Sequence, residues 1–183
     1  MPARRKRRPD VAVLRIGHRP GRDPRLTTHV ALAARAFGAG ALYVHPPDPG
    51  LSERLEAVAR RWGGSFRVMG VTDWRSFVRH WKGAVVHLTM YGEALPAVIP
   101  RLRRRHRILL VVGGAKVPPS LYSIADVNVA IGHQPHSEVA AVAIMLERLF
   151  GWPGGEPWDG ARQVIRPSPR GKDVVELPRQ GTE

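Results

Sequence analysis

Short apolar runs and longer runs of helical spacing alternate along most of the chain. Val11–Ile16 is apolar apart from Arg15 and reads as a strand. Gly17–Leu26 is crowded with Arg, Gly and Pro and reads as a loop. Thr27 or Thr28 can then cap a helix through about Phe37, stopped by Gly38 and Gly40. Ala41–Val44 is a second strand, and His45–Gly50 turns on its prolines. Leu51, Leu55, Val58, Ala59 and Trp62 fall at helical spacing, with Gly63 and Gly64 to end the helix. Phe66–Val71 follows as a strand, and Asp73 caps a helix through Trp81. Ala84–Leu88 is a strand. Glu93–Leu102 is a helix that tolerates Pro96 near its start. Arg107–Val112 is a strand, Tyr122 sits in a short turn, and Asp126–Ile131 is a strand. Ser137–Phe150 is a long apolar helix whose first residue is a capping type.

Strands separated by helical stretches predict an α/β domain over residues 11–150, a parallel sheet flanked by helices on both faces. After Gly151 the pattern breaks. Gly151–Gly160, rich in Gly, Pro and Trp, reads as a linker. Val164–Ile165 and Val174–Leu177 flank Pro167-Ser168-Pro169-Arg170-Gly171-Lys172, which predicts a small β-hairpin with a basic tip. Residues 151–183 are therefore an extension, and residues 1–10 read as a disordered basic tail.

Charge adds a partner to this picture. Lys and Arg total 29 against 15 Asp and Glu, a formal net charge of +14. The run Arg4–Arg8 supplies only part of that excess, so the body is basic as well, and a polyanion such as RNA is the expected partner. With no cysteine there is no disulfide, thiolate metal site or Cys nucleophile. No apolar run approaches the roughly 18 residues that a membrane span needs. No signal peptide is evident, so a cytoplasmic location is expected.

Three loops follow strand ends, where ligands bind in open α/β sheets. The first is Leu88-Thr89-Met90-Tyr91-Gly92. The second, Gly113-Gly114-Ala115-Lys116-Val117-Pro118, lacks the spacing of a dinucleotide or P-loop fingerprint, but two glycines let backbone approach a flat ligand. The third is Gly132-His133-Gln134-Pro135-His136-Ser137-Glu138. Its two histidines have no further ligand at metal spacing, so no metal is expected. Ser137 and Glu138 suit a helix N-terminus. Ahead of the first helix stand Arg15, Arg19, Arg22 and Arg25, with His18 and His29. Cations there oppose the helix dipole unless an anion lies between, and RNA phosphate is such an anion; a merely solvated basic loop is the alternative. Arg101, Arg103, Arg104, Arg105 and Arg107, with His106, form a second basic cluster just before a strand, equally readable as a solvated helix end or an RNA contact.

Taken in order, several strings match a known family. They are Arg19-x-x-Arg22-Asp23-x-Arg25-x-Thr27-Thr28-His29-Val30 with Ala34-Arg35-Ala36-Phe37-Gly38-Ala39, then Lys116-Val117-Pro118, Ala125-Asp126-x-Asn128-Val129, and Gly132-x-Gln134-Pro135-His136-Ser137-Glu138-Val139. The chain strongly resembles the archaeal tRNA cytidine-56 2′-O-methyltransferases of the SPOUT class. That resemblance implies a deep C-terminal trefoil knot, a homodimer, and S-adenosylmethionine as methyl donor to a ribose 2′-hydroxyl of tRNA. It implies a cofactor site at Leu88, at Gly113, Gly114, Ala115, Lys116 and Val117, and at Ile131, Gly132, His133, Gln134, Pro135, His136, Ser137 and Glu138. It also implies that the C-terminal hairpin is the family's extension. No carboxylate–His pair stands out to activate the hydroxyl. Arg25 is the first candidate, then Arg22, with His29 as a further one. Arg15, Arg19, Arg22 and Arg103–Arg105 are expected on RNA. A non-catalytic RNA-binding module is the rival reading, separated from the enzyme by whether S-adenosylhomocysteine binds.

Overall fold

A computed structural model describes residues 8–22, 24–114 and 116–178. Expectations for residues 1–7, for Asp23 and for Ala115 lie outside the described residues.

Chain order is β1 (Asp10–Ile16), α1 (Pro24–Ala36), β2 (Ala41–His45), α2 (Pro49–Trp62), β3 (Arg67–Gly70), α3 (Trp74–Arg79) and β4 (Ala84–Ala94). It continues with α4 (Leu95–Leu102), β5 (Arg107–Gly113), α5 (Ser120–Ile124), β6 (Val127–Ala130), α6 (Glu138–Phe150), β7 (Gln163–Arg166) and β8 (Asp173–Glu176). Six strands form one sheet in the order β3-β2-β1-β5-β4-β6, and every pairing in it is parallel. The alternation along β1 divides the core. Val11 and Val13 join one cluster with Val30, Leu51, Val98 and Met145, beneath α1, α2, α4 and α6. Ala12, Leu14 and Ile16 join the other with Trp74, Val78 and Leu121, beneath α3 and α5. Helices thus cover both faces, as the near-continuous apolar strands require.

Four local expectations change. α1 starts at Pro24, whose fixed φ suits a first helical position, so neither Thr27 nor Thr28 is its cap. β4 runs on past Leu88 to Ala94, with a register shift between Leu88 and Glu93, and α4 therefore begins at Leu95. The turn around Tyr122 is the short helix α5. Residues 151–162 do not hang as a free linker. Arg162 N–H bonds the Arg61 carbonyl at 3.0 Å, and Gly64 N–H bonds that of Asp159 at 2.8 Å. Arg35 lies 4.3 Å from the centre of the Trp158 ring. Gly63 is required at this junction: φ is +71°, and a Cβ there would lie 2.6 Å from backbone atoms of Trp158, Asp159 and Ala161. β7 and β8 pair antiparallel in a separate two-stranded sheet.

Candidate functional site

The parallel sheet brings the register-shifted middle of β4 and the end of β5 together with the N-terminus of α6, and a cavity of about 620 Å³ lies among them. Leu88, Gly113, Gly114, Lys116, Val117, Pro135, His136, Ser137 and Glu138 line it, so all three loops contribute. Ile131, Gly132, His133 and Gln134 do not line it. His133 instead donates to the Met90 carbonyl at 2.9 Å, tying the third loop to the first, while His136 turns back on the Gln134 carbonyl at 2.7 Å. Two hollows elsewhere, both beside residues 153–167 or their neighbours, hold none of the candidate residues.

Ser137 is the cap of α6, accepting from Val139 N–H at 3.1 Å. Behind it Glu138 meets Arg15 at 3.5 Å. Arg15 is 1% exposed, so the expectation that it touches RNA is overturned. It lies in a strand buried along its length and on the face that α6 covers; its guanidinium also donates to the Ile16 carbonyl. A buried Arg needs such acceptors.

His87, Val112, Tyr122 and Ala141, which no candidate loop contains, complete the cavity together with Thr89, Met90 and Tyr91 of the first loop. His87 was visible as one polar residue inside the apolar run Ala84–Leu88. Asn128 donates to the Tyr122 carbonyl at 3.0 Å, which turns its Oδ1 toward His87 Nδ1 at 2.8 Å. Nδ1 must therefore carry the proton, leaving Nε2 as a buried acceptor without a partner among the described residues. Burial lowers the His87 pKa below its ordinary value, although the Asn128 bond opposes this.

The loop after β1 opens at the same end of the sheet. Arg19, Arg22, Arg25 and His29 are all exposed on it or on the following turns of α1. Here a carboxylate–His pair, unseen in the sequence, does exist. His18 Nε2 is 3.1 Å from Asp48 Oδ2, and His18 Nδ1 is 2.7 Å from Thr27 Oγ1. His18 and Thr27 are fully enclosed, so this pair cannot reach a substrate hydroxyl directly. Arg103–Arg105 lie just before β5, at the opposite end of the sheet from the cavity. Among the described residues no group of three or more His, Cys, Asp or Glu could hold a metal ion.

The architecture is that of the SpoU and TrmH methyltransferases. The AdoMet-bound rRNA methyltransferase from Sinorhizobium meliloti superposes with a TM-score of 0.57 at 19% identity, over 79% of this chain and 57% of that one. The TrmH/SpoU tRNA-modifying enzyme of A. aeolicus gives 0.54 at 15% identity, over 79% and 75%. Sequence narrows the class. Residues 62–175 match the family tRNA ribose 2′-O-methyltransferase, aTrm56. The tRNA (cytidine(56)-2′-O)-methyltransferase of Archaeoglobus fulgidus is 48% identical over 166 residues, covering 91% of this chain and 98% of that protein. The chain belongs to the aTrm56 family of tRNA ribose 2′-O-methyltransferases.

Proposed function

We propose that the chain transfers a methyl group from S-adenosylmethionine to the 2′-hydroxyl of cytidine 56 in the TΨC loop of tRNA. The observation that carries this is the cavity built by the three candidate loops, two of which hold family motifs. Its residues suit an adenosyl group. At Gly114 a Cβ would meet nothing closer than 3.9 Å, which leaves a flat wall open. Leu88, Val112, Val117 and the Tyr122 ring supply apolar surface. Leu88, Gly113, Gly114, Lys116, Val117 and the 135–138 segment hold the cofactor in this reading. Residues 131–134 precede that segment in the third loop.

The sulfonium supplies an electrophilic methyl and a neutral leaving group, so no metal is required. The remaining work is to orient the ribose and draw the proton from its hydroxyl. Arg25 and Arg22 take that part, with His29 as the other candidate, because they stand exposed at the cavity's end of the sheet beside the RNA path. Arg19 holds phosphate, and Arg103–Arg105 take a more distant stretch of the same tRNA.

The same reading makes the molecule a homodimer with a C-terminal trefoil knot and a family-specific C-terminal extension. A tRNA substrate places the work in the cytoplasm. The test is direct: purified protein, a tRNA transcript and labelled S-adenosylmethionine yield 2′-O-methylcytidine at position 56, read by nuclease digestion and mass spectrometry. Methyl on a base, or at another nucleotide, overturns the assignment.

A further inference from the structure

The arginine loop is exposed along most of its described length. Among described residues 17–22, only His18 is buried; Gly17, Arg19, Pro20, Gly21 and Arg22 are all exposed. An exposed segment of this kind buries little side chain to fix it, although the Arg22 N–H bonds the Arg19 carbonyl at 2.9 Å within it. Yet its two ends are joined by side chains. Thr27, in the first turns of α1, meets His18 at 2.7 Å, closing the loop between residues 18 and 27. Asp48, from the turn between β2 and α2, meets the other ring nitrogen at 3.1 Å.

The roles of the atoms follow from the chemistry. A carboxylate only accepts, so His18 Nε2 carries the proton and donates to Asp48. Nδ1 of the neutral ring then accepts from the Thr27 hydroxyl. Asp48 is itself held by the Leu51 N–H, which it caps, and by Arg54 at 3.2 Å. The chain Thr27–His18–Asp48 is therefore anchored in a helix N-terminus outside the loop. Within it His18, next to Arg19 in the chain, is 1% exposed, and Thr27, two residues after Arg25, is 0% exposed, while Asp48 is partly exposed.

We propose that Thr27, His18 and Asp48 form a latch that preorganises the arginine loop, making His18 a positioning residue for methyl transfer. The proposal rests on the reading that Arg22 and Arg25 act at the ribose hydroxyl. A loop held in its working geometry loses less entropy when RNA binds and presents the guanidiniums to the reacting group at the right distance.

Two variants test it, His18→Ala and the near-isosteric Thr27→Val, each measured well below its unfolding temperature. Three quantities are read. Trypsin cleavage after Arg22 reports loop order independently of activity; Arg19 is followed by Pro20 and so resists the protease. Calorimetry with S-adenosylhomocysteine reports the cavity. Single-turnover methyl transfer to tRNA reports the chemistry.

The expected result is faster cleavage after Arg22, unchanged S-adenosylhomocysteine affinity, and methyl transfer slower on the order of 10–100-fold. Thr27→Ser, which keeps the hydroxyl, should restore much of the rate. Unchanged cleavage overturns the latch. Faster cleavage with an unchanged rate also overturns it, and Arg22→Ala and Arg25→Ala then locate the fault. If those variants lose activity, the latch is wrong and the arginines stand. If they do not, the catalytic assignment of the loop is wrong.

Discussion

Asp48 shows how one side chain can serve structure and pH response together. Burial pushes its carboxyl pKa up, but the bonds from His18 and the Leu51 N–H, with the Arg54 charge, outweigh this and hold it below the usual value. A carboxyl with a lowered folded pKa contributes stability that is complete above its unfolded pKa of roughly 4 and is lost as pH falls through the folded value. Asp48→Ala should therefore destabilise the fold at neutral pH by about 2–4 kcal/mol, from the lost cap and an orphaned His18. Chemical denaturation at pH 7 and again near pH 3 checks this; an equal difference at both would sink the idea. At the proposed catalytic residues the expected change is in rate. Arg25→Ala should abolish methyl transfer while S-adenosylhomocysteine still binds, and near-normal turnover would move the role to Arg22 or His29.

Elements meet through places where a single atom has no room. In β4, Gly92 lies against the backbone of β6, and a Cβ there would stand 2.3–2.4 Å from atoms of Asn128 and Val129. This close approach occurs where the β4–β6 register shifts, between Leu88 and Glu93. Gly92→Ala should force the two strands apart beside the cavity. The expected outcome is a lowered unfolding temperature together with weaker S-adenosylhomocysteine binding, both measurable by differential scanning fluorimetry. At the other end, Trp158 wedges beside Gly64 and over Arg35. Trp158→Ala should cost about 2 kcal/mol, since the ring is half-buried and its cation–π partner is lost. An undiminished unfolding midpoint would show that residues 151–162 dock without contributing to stability.

The whole molecule carries its positive charge at both ends of the sheet. Arg19, Arg22 and Arg25 stand at the same end of the sheet as the cavity, and Arg103–Arg105 lie at the far end, with Arg103 braced on the Arg148 carbonyl at 2.7 Å. A long polyanion can touch both, whereas a mononucleotide cannot. Arg22→Ala and Arg104→Ala should each weaken tRNA binding and each lower the slope of log K against log salt by about 1. Only the change at the cavity's end should slow methyl transfer to bound tRNA. Filter-binding titrations over a salt series separate the two effects, and a salt slope unmoved by Arg104→Ala would remove the far cluster from the RNA surface.

Hydrophobic periodicity by itself determined the alternation of strands and helices, because burying one face or both imposes a period on the chain whatever lies opposite. Local chemistry determined the caps at Asp73 and Ser137, where side chain and N–H are two or three residues apart. Net charge pointed to RNA, and the family strings lay in plain order. What lies over each face was decided only by tertiary structure. Periodicity places Arg15 on one side of β1 but says nothing of Glu138, more than a hundred positions away, that encloses it. The pairing of His18 with Asp48 depends on β2 lying parallel beside β1. The cavity, too, exists only because β4 is inserted between β5 and β6, which brings Leu88, Gly113 and Ser137 to one end of the sheet. These are contacts between distant segments, and local sequence patterns hold no record of distance through space.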